Sequence, residues 1–63
     1  MKTAHFSAGT TYVIECPEPC VITNTATDTP VKEGDGSESF YFTPAVSAQY
    51  ALSSDAAVFA PLT

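Results

Sequence analysis

Positive charge is nearly absent from this chain. Of 63 residues only Lys2 and Lys32 are basic, and seven Asp and Glu bring the formal net charge to −5. Grip on a nucleic-acid backbone comes from Lys and Arg that neutralise phosphates, so nucleic acid is excluded as a partner. An anionic membrane surface is disfavoured for the same reason. Long apolar runs are missing too. No stretch approaches the roughly 20 residues that a helix needs to span a bilayer. The opening "MKTAHFSAGTTYVIE" lacks the continuous apolar region of a secretory signal, so the expectation is an intracellular birthplace. There a structural disulfide is the less favoured state of two cysteines.

Strong core formers are scarce as well. Ile, Leu, Val and Phe number thirteen, about a fifth of the chain. A domain this small buries only about 60% of the surface of its unfolded chain, so its own stability is marginal. Such a balance suits a small fold that leans on neighbouring subunits better than it suits an independent enzyme.

What is present reads as β-structure. Thr, Val, Ile, Tyr and Phe fill the ordered runs, and Gly, Pro, Asn and Asp punctuate them. In "TTYVIEC" Tyr12, Ile14 and Cys16 share one face, with Val13 and Glu15 on the other. In "CVITNT" Cys20 and Ile22 alternate with Val21 and Thr23. A short strand around Val31 precedes a turn at Gly34-Asp35-Gly36. "SFYFT" alternates Phe40 and Phe42 with Tyr41 and Thr43, and "SAQYALSSDAAVFAPL" reads as two strands hinged at Ser53-Ser54-Asp55. Thr43-Pro44 followed by several Ala offers a competing helix start over 44–52, but Val46, Ala48, Tyr50 and Leu52 also alternate and both neighbours are β-like. The expected fold is all-β: a small antiparallel β-sandwich or barrel of five to six short strands. Residues 1–8 are expected to form a flexible N-terminal arm ahead of one β domain over residues 9–63.

The two cysteines frame "CPEPC", residues 16–20. A thioredoxin-type redox pair has two intervening residues and a depressed thiol pKa; here there are three, and Glu18 acts in the opposite direction. A structural zinc site takes four ligands, and Cys16, Cys20 and His5 supply three. A Cys16–Cys20 disulfide depends on the corner. Extended, the segment separates the two Cα atoms by about 12–13 Å, well over the bridging limit of about 7 Å. A tight turn with cis-Pro19 brings them together. The simplest reading is two small buried hydrophobes flanking a stiff corner.

Elsewhere the chemistry is thinner. Glu33, Asp35 and Glu38 lack the spacing of a calcium loop and read as a solvated turn. His5 has no orienting partner and no nucleophile setting such as G-x-S-x-G, so no catalytic residue is expected and the chain is read as no enzyme. No cofactor and no metal are expected. Tyr12, Tyr41 and Tyr50 have no interleaved basic residues for stacking on nucleic acid, and read as core or subunit-interface positions.

From residue 20 onward the chain resembles the small β-sandwich decoration or cement proteins on the capsid shells of tailed phages. The likeness rests on Ile22-Thr23-Asn24-Thr25, the Gly34-Asp35-Gly36 turn, Phe40-Tyr41-Phe42-Thr43-Pro44 and Leu52-Ser53-Ser54-Asp55-Ala56. It implies a non-enzymatic virion protein, assembled in the host cytoplasm, that forms homo-oligomers and binds the major capsid protein or another virion protein. Under it, Thr3, His5 and Phe6 form an arm ordered by a neighbour, with Tyr12, Tyr41 and Tyr50 as further partner-binding positions. The alternatives are a β-rich binding or assembly module of a phage tail or cell surface, and a disulfide-stapled secreted domain.

Overall fold

Alternation decides the strands, and the buried set follows it closely. The computed structural model describes residues 1–62. It contains seven antiparallel strands: β1 (Lys2–Phe6), β2 (Tyr12–Glu15), β3 (Cys20–Asn24), β4 (Thr29–Gly34), β5 (Phe40–Phe42), β6 (Ala48–Leu52) and β7 (Val58–Pro61). They form a four-stranded sheet ordered β1-β6-β3-β4 and a three-stranded sheet ordered β5-β2-β7. Tyr12, Ile14 and Cys16 are buried from β2, and Cys20, Ile22 and Asn24 from β3, each set on one side of its strand. Tyr50 and Leu52 of β6 join them. Full burial of a side chain such as Ile14, Ile22 or Leu52 contributes about 1.5–3 kcal/mol each. Residues 44–47 form a bend and β6 a strand, so the competing helix does not form. Tyr50 ties the bend to β6 by donating its hydroxyl to the Val46 carbonyl at 2.8 Å.

The seventh strand corrects the sequence expectation. Residues 1–8 are not a free arm, because Lys2–Phe6 pair along β6 from Lys2–Leu52 to Phe6–Ala48. The cause is Phe6, which is completely buried. Its ring stands 4.4 Å from Tyr12, 5.1 Å from Phe59, 5.6 Å from Tyr50 and 5.9 Å from Phe42. A core poor in aliphatic side chains recruits an aromatic from the terminus as its central ring. Tyr12 and Tyr50 are likewise core residues. Phe6, Tyr12 and Tyr50, expected as partner contacts, are therefore spent inside the domain.

Consecutive strands rarely stay in one sheet here. Only β3 and β4 form a hairpin, with a bulge between Ile22 and Thr23. Every other connection crosses between the sheets. CPEPC is one such crossing. It carries the chain from β2 in one layer to β3 in the other, a span of roughly 10 Å between packed sheets. Two prolines with fixed φ and no N–H suit a bridge that belongs to neither ladder.

Candidate functional site

Three crossings meet at one end of the sandwich: CPEPC, the Gly34–Phe40 segment and the Ser53–Ala57 turn. They are tied through the corner. Ser54, almost fully buried, donates its hydroxyl to a Glu18 carboxylate oxygen at 2.5 Å. Ser53 closes the β6 end on β3, donating N–H to the Val21 carbonyl at 3.0 Å and accepting the Val21 N–H on its hydroxyl at 2.9 Å. Gly36, with φ +85°, lies against the corner so closely that a Cβ there would fall 2.5 Å from the Glu18 carbonyl carbon. Asp35 clamps this turn by accepting from the Ser37 N–H at 2.9 Å and from its hydroxyl at 2.7 Å. Those bonds favour the carboxylate and lower the Asp35 pKa.

Inside the corner Cys16 and Cys20 are buried free thiols. Burial, followed by a hydrogen bond to the Cys20 thiol and the charge of Glu18, pushes the Cys16 thiol from an ordinary 9.0 up to about 11. A thiol so held is protonated at neutral pH and is a poor nucleophile. The corner packs as expected for small hydrophobes, with Cys16 and Cys20 in one buried cluster and every described peptide bond trans. Among the described residues no group of three or more His, Cys, Asp and Glu is placed to hold a metal ion.

Charge is distributed unevenly. Glu15, Glu18, Glu33, Asp35, Glu38 and Asp55 all lie at or beside this end of the sandwich, leaving Asp28 alone at the other. The corner end also holds Lys2, whose ammonium donates to the Ala57 carbonyl at 2.7 Å and stands 5.7 Å from the centre of the Phe59 ring.

The outer faces of the two sheets differ in chemistry. The four-stranded sheet turns Thr3, His5, Thr23, Thr25 and Gln49 outward, with Val21 and Ala51 set among them, a mainly polar surface. The three-stranded sheet turns out Tyr41, Val13 and Ala60 as one cross-strand row, flanked by Val58 opposite Glu15 and by Leu62 beside Thr11. Tyr41 is 62% exposed, Leu62 55% and Val58 53%. This row is continuous and apolar on a sheet face that no other described residue covers.

Of the sequence-expected partner positions, Thr3, His5 and Tyr41 are exposed; Thr3 and His5 lie on one sheet and Tyr41 on the other. Val13, Val58 and Ala60 were not singled out from sequence. Their signal is the register, since Val13 faces Tyr41 and Ala60 only once β2 is known to lie between β5 and β7. Comparison with protein-family models, curated proteins and solved structures gives no match.

Proposed function

We propose that this chain is a non-enzymatic virion structural protein that oligomerises and docks on the capsid shell, as a decoration or cement subunit does. One observation carries the reading: the uncovered apolar row Tyr41–Val13–Ala60 with Val58 and Leu62 on the outer face of the three-stranded sheet. A soluble surface has little reason to gather such side chains on one strand row unless they are covered in use. The acidic end supplies the rim, with Glu15 on the same face as Val58. The partner surface complementary to it is an apolar patch edged by Lys or Arg, as a capsid protein of opposite charge would present. The resemblance of the turn and strand motifs to those of decoration proteins supports the same reading. The working location is the virion, after assembly in the host cytoplasm, and the partner is the major capsid protein or another shell component.

Co-sedimentation with isolated shells tests it, using wild type and the double variant Tyr41→Ser, Val58→Ser. Both side chains are exposed, so the variant is expected to keep its circular dichroism spectrum while losing the shell. Undiminished sedimentation of the variant, or absence of the chain from purified virions by mass spectrometry, would overturn the proposal.

A further inference from the structure

The ladder pattern shows which backbone groups each sheet edge leaves free. Thr25 N–H bonds the Gln49 carbonyl at 3.2 Å, and Ser53 N–H bonds the Val21 carbonyl at 3.0 Å. With the β3–β6 register, residues 49, 51 and 53 therefore aim their backbone groups at β3, and residues 48, 50 and 52 aim theirs at β1. Those three oppose Phe6, Ala4 and Lys2. Thr3 and His5 are left with N–H and C=O pointing away from the sheet, and both are exposed.

The same bookkeeping closes the other edges. In β7 the Leu62 N–H to Thr11 carbonyl bond, at 2.9 Å, places Phe59 and Pro61 in the outward row, where proline has no donor. In β5 only Tyr41 faces outward within three residues. β4 is interrupted by its bulge and by Pro30, and it carries the acidic Glu33. Proline, bulges and shortness are the usual means of blocking edge pairing. Among the described strands, β1 has two complete outward donor–acceptor residues with no proline, bulge or acid.

We infer that β1 is a self-association edge, which pairs antiparallel with β1 of a second copy about a two-fold axis at Ala4. In this register Thr3 opposes His5 of the other copy, and His5 opposes its Thr3. Each pair exchanges two backbone bonds, four in all, and two four-stranded sheets become one of eight. The axis falls on a non-hydrogen-bonded pair, where Cα atoms approach to about 4.5 Å. Ala4, the small residue of the strand, occupies that tight position. The self-complementary register about Ala4 favours a second copy over other extended segments, and the local charge permits it. In a chain of net charge −5 this strand carries no acid, and antiparallel pairing sends the two acidic ends to opposite extremes of the dimer. The inference deepens the oligomerisation in the proposed function but does not depend on the capsid.

Thr3→Pro tests it, because it deletes an outward N–H and leaves the β1–β6 ladder whole. Sedimentation equilibrium is expected to show a wild-type dimer, or an even-numbered assembly built on it, whose dimer dissociation constant rises about 10-fold or more in Thr3→Pro. Thr3→Val retains the N–H and is expected to remain dimeric. Hydrogen exchange on wild type provides a measurement independent of variant folding: Thr3 and His5 amides are protected at high concentration and become labile on dilution. A wild type that is monomeric at all concentrations, an unweakened Thr3→Pro dimer, or concentration-independent exchange at both amides overturns the inference. A folded Thr3→Pro monomer that still sediments with shells would separate pairing from docking. A wild-type dimer that ignores shells would instead sink the capsid reading alone.

Discussion

Replacing Phe6 by alanine is the sharpest test of how this domain is held together. Phe6 is fully buried, has four aromatic rings within 6 Å and is the largest β1 side chain in the core, beside the smaller Ala4. Loss of a buried phenyl group and the void it leaves cost about 3–5 kcal/mol. A domain of this length has a total stability of about 3–9 kcal/mol on the usual per-residue scale. Phe6→Ala is thus expected to consume about a third of the stability or more and to lower Tm by more than about 12 °C. Phe6→Leu keeps most of the volume, and a loss of about 1.5 kcal/mol or less is expected. Urea titration followed by far-ultraviolet circular dichroism and tyrosine fluorescence measures both, at one fixed protein concentration so that association does not enter. If Phe6→Ala unfolds at the wild-type midpoint, β1 is not docked and the seven-stranded description fails.

Three further outcomes follow from the corner end. Gly36→Ala is expected to destabilise by more than about 1 kcal/mol, since it forces a positive φ and drives a Cβ into the Glu18 backbone; an unchanged midpoint would mean the two turns do not touch. Ser54→Ala removes a buried donor from Glu18, and a loss of about 1–2 kcal/mol in urea titration is expected, against none for a corner that stands alone. Cys16 makes stability depend on alkaline pH. The fold keeps this thiol protonated up to about 11 while the unfolded chain releases the proton near 9.0, so the contribution is complete below 9 and is lost as pH rises through 11. Cys16→Ala should flatten that part of the Tm–pH curve, and wild-type Cys16 should resist iodoacetamide at pH 8 until denatured; ready labelling of the folded protein would contradict its burial.

The parts legible in sequence were those governed by local alternation. The β2, β3 and β5 patterns and the Ser53–Asp55 hinge all stand where period two and turn residues put them, and the all-β sandwich follows. β1 was hidden because "KTAHF" offers one large apolar residue, and its partner β6 lies more than forty residues away. No short-range pattern reports that pairing. The role of CPEPC was half visible. Its prolines announce a rigid corner, but whether a corner joins neighbours in one sheet or bridges two layers depends on where β3 finds its partners, β4 and β6. The exposed apolar row was least legible. Val13, Tyr41 and Ala60 are ordinary strand residues until three separate segments align them.

Strand order also sets when this molecule can exist during its own synthesis. β1 waits for residues 48–52, and β2 acquires its second neighbour only with residues 58–61. Only the β3–β4 hairpin joins neighbours in sequence. A nascent chain emerging from the ribosome therefore has a single hairpin to form early, an element marginal in water by itself. Phe6 stays uncovered until nearly the whole domain has been made. Folding is then one late, concerted closure, and until it happens the uncovered β1 segment is open to a chaperone or a sister chain.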